Sequence, residues 1–155
     1  MTSRLGNAIK QTRPFKTVQD EAFLLIQRTA SELNQAFAEL FKPAGITPAK
    51  YNVLRILRGA GASGLACRGV GERMVTQDPD VTRLLDGLET QGLVARSRES
   101  EDRRIVTVRI SEEGLALLAK LDAPVEQLTA QLLGRVDEEQ LGTLISILEQ
   151  VSNLD

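Results

Sequence analysis

Residues 80–96, DVTRLLDGLETQGLVAR, combine an amphipathic helix, a glycine stop and the start of a strand. Val81, Leu84, Leu85 and Leu88 recur at the spacing that places apolar side chains on one face of a helix. Gly92 stands where such a helix would end in the left-handed conformation. Asp78-Pro79 is a typical helix start, so the pattern predicts a helix from residue 78 to about residue 91.

The sequence on both sides of this helix predicts a winged helix-turn-helix. Residues 93–98 and 104–110 have the pattern of two short strands, and the polar residues 99–103 join them as a hairpin. Upstream, Thr47-Pro48 starts a helix, and a glycine-containing segment at 65–74 follows it as a short second helix. Helix, short helix, helix and hairpin is the order of that motif.

Long helices with apolar stripes are predicted at both ends of the chain. One spans 17–42, a second begins after Ser111 as N-cap, and a third begins at a capping box formed by Asp137 and Gln140. The predicted fold class is therefore mainly α with a small β-hairpin wing. A single domain at 1–155 would contain a DNA-binding lobe at 47–110, and 1–42 with 111–155 would form a helical dimerisation lobe.

The amino-acid composition limits the classes of function that the chain could have. The chain has 155 residues, 42% of them hydrophobic, and it contains no histidine and one cysteine. Without histidine, the usual general base and the commonest nitrogen ligand of metals are missing, so we expect no catalytic site, metal or cofactor. No apolar run suits a membrane span or a signal peptide, which favours the cytoplasm and no membrane partner. The net charge of −2 argues against nucleic acid, but arginines cluster between residues 96 and 109.

Residues 80–96 resemble the recognition helix and first wing strand of MarR-type (multiple antibiotic resistance) regulators. Asp102-Arg103-Arg104, followed by Val108, Ile110-Ser111 and Gly114, matches the wing motif of that family. The resemblance covers roughly residues 20–152. It implies a homodimer that binds a pseudo-palindromic operator in double-stranded DNA, usually as a repressor, with the helix at 78–91 in the major groove.

The resemblance also implies which residues contact DNA. Arg104 would enter the minor groove, and the Asp102 carboxylate would hold its guanidinium in place by a charge-assisted hydrogen bond. Base and backbone contacts would come from the turn and start of the recognition helix, and phosphate contacts from the wing. The first set is Thr76, Gln77, Asp80, Thr82 and Arg83, and the second is Arg96, Arg98 and Arg103.

Small aromatic anions often bind in this family where the first long helix meets the second. Phe37, Phe41, Tyr51 and Arg55 fall in that region and would suit a small aromatic or anionic effector, although such residues are more often simply core. Cys67 lies in the DNA-binding half, where a lone cysteine is usually a small packed side chain.

Two other function classes remain open at this point. A winged helix used only for contact with another protein would have the same pattern, but its binding to DNA would not fall steeply with added salt. An enzyme is the third class, and the sequence has no phosphate-binding glycine loop or paired-carboxylate motif to support it.

Overall fold

The computed structural model describes residues 3–77, 80–98 and 105–152, and the chain divides after Pro48 into two compact units. The first unit contains helix α1 at Arg4–Ala8 and helix α2 at Val18–Phe41. The hydroxyl of Thr17 caps α2 by accepting from the Asp20 N–H at 3.1 Å. A 3₁₀ turn at Lys42–Ala44 and the left-handed Gly45 follow α2, close to the predicted helix end at residue 42.

The second unit holds the rest of the chain. Helix α3 spans Pro48–Ala60, strand β1 Leu65–Ala66, helix α4 Cys67–Gly71 and helix α5 Val81–Thr90; strands β2 and β3 span Val94–Ser97 and Thr107–Ile110; helices α6 and α7 span Glu112–Leu133 and Glu138–Ser152. The strands form an antiparallel sheet in the order β1-β3-β2, with Val94 opposite Ile110 and Leu65 opposite Val108. The prediction of a mainly α, winged-helix fold is confirmed.

An aliphatic core fixes the winged helix. Its fully buried side chains come from α3, α4, α5, β3 and α6, and each is 0% exposed: Val53, Leu54, Leu57, Val70, Leu85, Leu88, Val108 and Leu118. Because α5 contributes two of these leucines from one face, its opposite face is left to solvent. This arrangement points Thr82 and Arg83 outward at the start of the helix.

Two glycines hold the wing against the helices. Gly92 has φ 71°, and the N–H groups of Gly92 and Leu93 donate to the carbonyls of Glu89 and Leu88, which ends α5 in a Schellman motif. At Gly114 any Cβ would collide with the carbonyl oxygen of Leu93, so a residue with a side chain could not bring α6 this close to the wing.

Several predicted element ends are wrong. Helix α5 begins at Val81 with Asp80 as its N-cap, so the predicted start at 78 is too early; residues 78 and 79 themselves lie outside the described residues. The segment at 65–74 divides into β1 and α4, since pairing with β3 draws its first residues into the sheet. The two wing strands are shorter than predicted. Ser111 and the Asp137–Gln140 capping box do cap α6 and α7 as predicted.

Candidate nucleic-acid interface

The start of α5 and the turn before it form an exposed polar surface. Thr76, Gln77, Thr82 and Arg83 are all exposed, as the predicted contacts to DNA require. Asn52 of α3 fixes this turn, because its side-chain oxygen accepts from the Val75 N–H at 2.9 Å. The sequence does not predict this role of Asn52, because Asn52 is one of several polar residues in an amphipathic helix.

Asp80 has a structural role at this surface. Its carboxylate accepts from the Arg83 N–H at 2.9 Å, which satisfies one of the free donors in the first turn of α5. A carboxylate at this end of a helix also interacts favourably with the helix dipole. The predicted contact of Asp80 with DNA stays a prediction, and any such contact would have to keep the cap in place.

Asp80→Ala should lower the free energy of unfolding by about 1 kcal/mol, because the Arg83 N–H loses its acceptor. Asp80→Asn is the matched control, since asparagine caps helices as well as aspartate does and should stay close to the wild type. Urea unfolding followed by circular dichroism measures both variants. Equal stability of the alanine variant and the wild type would contradict the capping role.

Arg96 connects the wing to the recognition helix. Its Nη1 lies 2.6 Å from an Asp86 carboxylate oxygen and 3.4 Å from one of Glu89, and its Nη2 donates to the Thr82 carbonyl at 3.3 Å. All three partners lie on α5, whereas Arg96 is in the middle of β2. The predicted phosphate contact of Arg96 stays a prediction; in this structure its guanidinium holds the helix against the strand.

Arg109 and Arg98 differ in their surroundings. The Arg109 side chain donates to the Ala62 carbonyl and to the Ser97 hydroxyl, both at 2.7 Å, so it joins β3 to β2 and to the 3₁₀ turn at Gly61–Ser63. Arg98 follows β2 and is exposed, where it could meet a phosphate. Asp102, Arg103 and Arg104 lie outside the described residues, and their predicted roles rest on the sequence.

The four candidate effector residues belong to both units. The rings of Phe37 and Phe41 on α2 have centroids 5.9 Å apart. On α3, Arg55 is exposed and Tyr51 is buried; burial raises the pKa of the Tyr51 hydroxyl, and the neighbouring Arg55 guanidinium partly opposes that shift. Their assignment to a pocket stays a prediction.

An ion pair links α3 to α6. Both terminal nitrogens of Arg58 on α3 bond the Asp122 carboxylate, at 2.9 to 3.1 Å. This bidentate geometry is stronger and more directional than a single contact, and the hydrogen bond raises the pKa of Arg58. Cys67 is half-buried in the same unit, with its sulfur 3.8 Å from the Thr82 hydroxyl.

In the part of the chain that the structure describes, no three or more His, Cys, Asp or Glu side chains are grouped as metal ligands would be. No helix among the described residues has the length and apolar character needed to cross a membrane.

Comparison with known proteins agrees with this architecture. The sequence profile of the MarR family matches residues 44–105. The HTH-type transcriptional repressor MdtR of Bacillus subtilis is 28% identical over 118 residues, which cover 76% of this chain and 75% of MdtR. A MarR transcription factor of known structure from Planctomyces limnophilus is 35% identical with a TM-score of 0.68, over 88% of this chain and 98% of that one.

A further comparison shows the same fold in a protein solved with DNA. The structure of the Staphylococcus aureus MepR–DNA complex superposes with a TM-score of 0.76 at 20% identity, over 84% of this chain and 96% of that one. The winged helix, the exposed start of α5 and the match to the family profile all agree with these similarities. The chain therefore belongs to the MarR family of winged helix-turn-helix, DNA-binding transcription regulators.

Proposed function

We propose that the chain acts as a homodimer that binds a pseudo-palindromic operator in double-stranded DNA and represses transcription there. The observation that carries this proposal is the presentation of α5: two buried leucines fix one face, and the other exposes Thr82 and Arg83 beside the wing. A helix held in this way is suited to enter the major groove with its first residues at base edges. The relative MdtR is a repressor, which supports the sign of regulation.

Exposed apolar side chains on α7 support the homodimer. Leu144, Ile145, Leu148 and Val151 are 39% to 62% exposed and recur at helical spacing on one face. A face of this kind favours burial against a second copy, because a soluble monomer rarely exposes a contiguous apolar patch. A two-fold partner would also supply the second recognition helix that a pseudo-palindromic operator requires.

An effector that releases the operator is a further part of the proposal. Phe37, Phe41, Tyr51 and Arg55 offer aromatic rings and a cation suited to a small aromatic or anionic compound. Such a compound lowers DNA affinity only by binding the DNA-incompetent dimer more tightly than the competent one. The bidentate Arg58–Asp122 pair supports a coupling between effector binding and DNA binding, since it joins α3 to α6 within one unit.

The proposed binding to DNA also supports a cytoplasmic location.

The test of DNA binding is a titration of a labelled duplex at several salt concentrations. A protein that neutralises several phosphates releases their counterions, so the logarithm of its affinity should fall linearly and steeply with the logarithm of the salt concentration. The alternative is a winged-helix module that only contacts other proteins. A flat salt response, or no binding of duplex DNA, would favour that alternative.

Arg104→Ala should weaken binding to an operator by about 1–3 kcal/mol, roughly 5- to 150-fold, because a guanidinium leaves the minor groove. The matched control is Arg135→Ala, which removes an exposed arginine between α6 and α7. Anisotropy titration measures both variants, and circular dichroism checks that both remain folded. Unchanged affinity in the Arg104 variant would show that the wing assignment is wrong.

A further inference from the structure

Gly87 lies in the interior of α5, where glycine is a poor helix former. The structure shows which atoms lie next to this position. A Cβ at this position would lie 2.9 Å from the Nζ atom of Lys50 and 3.0 Å from its Cε atom. The end of the Lys50 side chain, which starts from α3, therefore lies against α5 at the place where a side chain of residue 87 would begin. Its ammonium donates to the Gln91 side-chain oxygen at 2.7 Å.

The Lys50 ammonium lies on a particular side of α5. Arg83, Gly87 and Gln91 follow one another at intervals of four residues, so they lie along one side of the helix. Lys50 thus adds a positive charge to the side that carries Arg83, one turn further along. The other side of α5 carries Asp86 and Glu89, whose carboxylates share the Arg96 guanidinium. The two sides of the helix therefore differ in charge.

The dimensions of DNA suggest what the Lys50 side meets. An α-helix with its side chains is about 10–12 Å across, and the major groove is about 12 Å wide. When such a helix enters the groove, its outermost residues face base edges and its two sides lie along the rows of phosphates. An ammonium at the side of α5 is then suited to a phosphate oxygen, as a point charge that tolerates several geometries.

We propose that Lys50 is a phosphate-binding residue of the DNA interface, and that its ammonium lies in the space that Gly87 leaves open on α5. This inference rests on the proposed DNA binding and deepens it. It adds a contact from α3 to a surface otherwise formed by α5 and the wing. Because a phosphate contact carries no sequence information, Lys50 contributes equally on every sequence.

The test compares the salt dependence of four variants on a fluorescein-labelled duplex of arbitrary sequence. Lys50→Gln removes the charge and keeps an amide that can bond Gln91. Lys50→Arg keeps the charge, and Lys120→Gln removes the same charge from an exposed site on α6. The double variant Lys50→Gln with Gly87→Lys returns the charge to the same side of α5. Thermal unfolding checks that each variant is folded.

Loss of one contact from each protomer of a dimer should reduce the salt slope by roughly 1.8 in Lys50→Gln. The ratio of the DNA affinity of the wild type to that of Lys50→Gln would then fall about twelvefold between 50 and 200 mM salt. Lys50→Arg and Lys120→Gln should keep the wild-type slope, and the double variant should regain it.

Three results would overturn the inference while the proposed function stands. An unchanged slope in Lys50→Gln, even with weaker binding, would mean that Lys50 acts only by packing α3 against α5. An equal loss of slope in Lys120→Gln would mean that net charge matters rather than position. Failure of the double variant to regain the slope would show that this side of α5 does not face phosphates. If the wild type itself shows no salt-dependent binding, the proposed function fails and the inference fails with it.

Discussion

Replacing Leu148 with aspartate is expected to leave the chain monomeric at micromolar concentration. Leu148 lies on the apolar face of α7 and is 39% exposed in the single chain. In a dimer that buries this face, each protomer would place a carboxylate among apolar side chains, and an unpaired buried charge costs several kcal/mol. Because 1.4 kcal/mol is a factor of ten in affinity, the dissociation constant of the dimer should rise by about a thousandfold or more.

Sedimentation or light scattering over a range of concentrations measures this effect. Gln150→Asp is the matched control, since it introduces the same charge on the opposite side of the same helix, where the side chain is exposed. The control should remain dimeric. A Leu148→Asp variant with the oligomeric state of the wild type would mean that α7 does not form the interface.

Leu88→Ala should lower the free energy of unfolding by about 2–5 kcal/mol. Leu88 is 0% exposed on the inner face of α5, and its backbone carbonyl accepts the Leu93 N–H at the end of that helix. Truncation of the side chain removes apolar burial and leaves a cavity beneath the helix that presents Arg83. DNA binding should weaken as well, because a helix with a loosened core face loses its fixed orientation.

Urea unfolding provides the measurement, with Leu115→Ala as control. That substitution deletes the same atoms from a side chain that is 42% exposed in α6, so it should cost much less. A loss below about 1 kcal/mol for Leu88→Ala would contradict the core described for this unit.

Local rules explain which parts of the fold the sequence could predict. Ser111, Gly92 and the Asp137–Gln140 pair act within one helical turn of their own positions, and each has the predicted role. The start of α5 was misplaced because Asp78 and Asp80 are both good N-caps. Helix α1 has five residues and β1 has two, so neither is long enough for a periodic pattern, and β1 depends on pairing with the distant β3.

In the candidate site, too, local sequence patterns predict some features, whereas others depend on tertiary packing. The pattern of residues 80–96 and the wing motif predict an interface at the start of α5 and the wing, and Thr82 and Arg83 are exposed at that start. The pairing of Arg96 with Asp86 and Glu89 joins residues on different elements, which no spacing rule predicts. Lys50 and Gly87 are 37 positions apart in the sequence, and only the packing of α3 on α5 brings them together.

In the proposed complex, two copies of this winged helix bind one duplex through a two-fold axis. The decisive experiment is the selection of bound fragments from a pool of random duplex DNA, followed by sequencing. We predict enrichment of two inverted half-sites whose centres lie about one helical turn apart, near 10 base pairs. No enrichment, or enrichment of a single site without inverted symmetry, would contradict it.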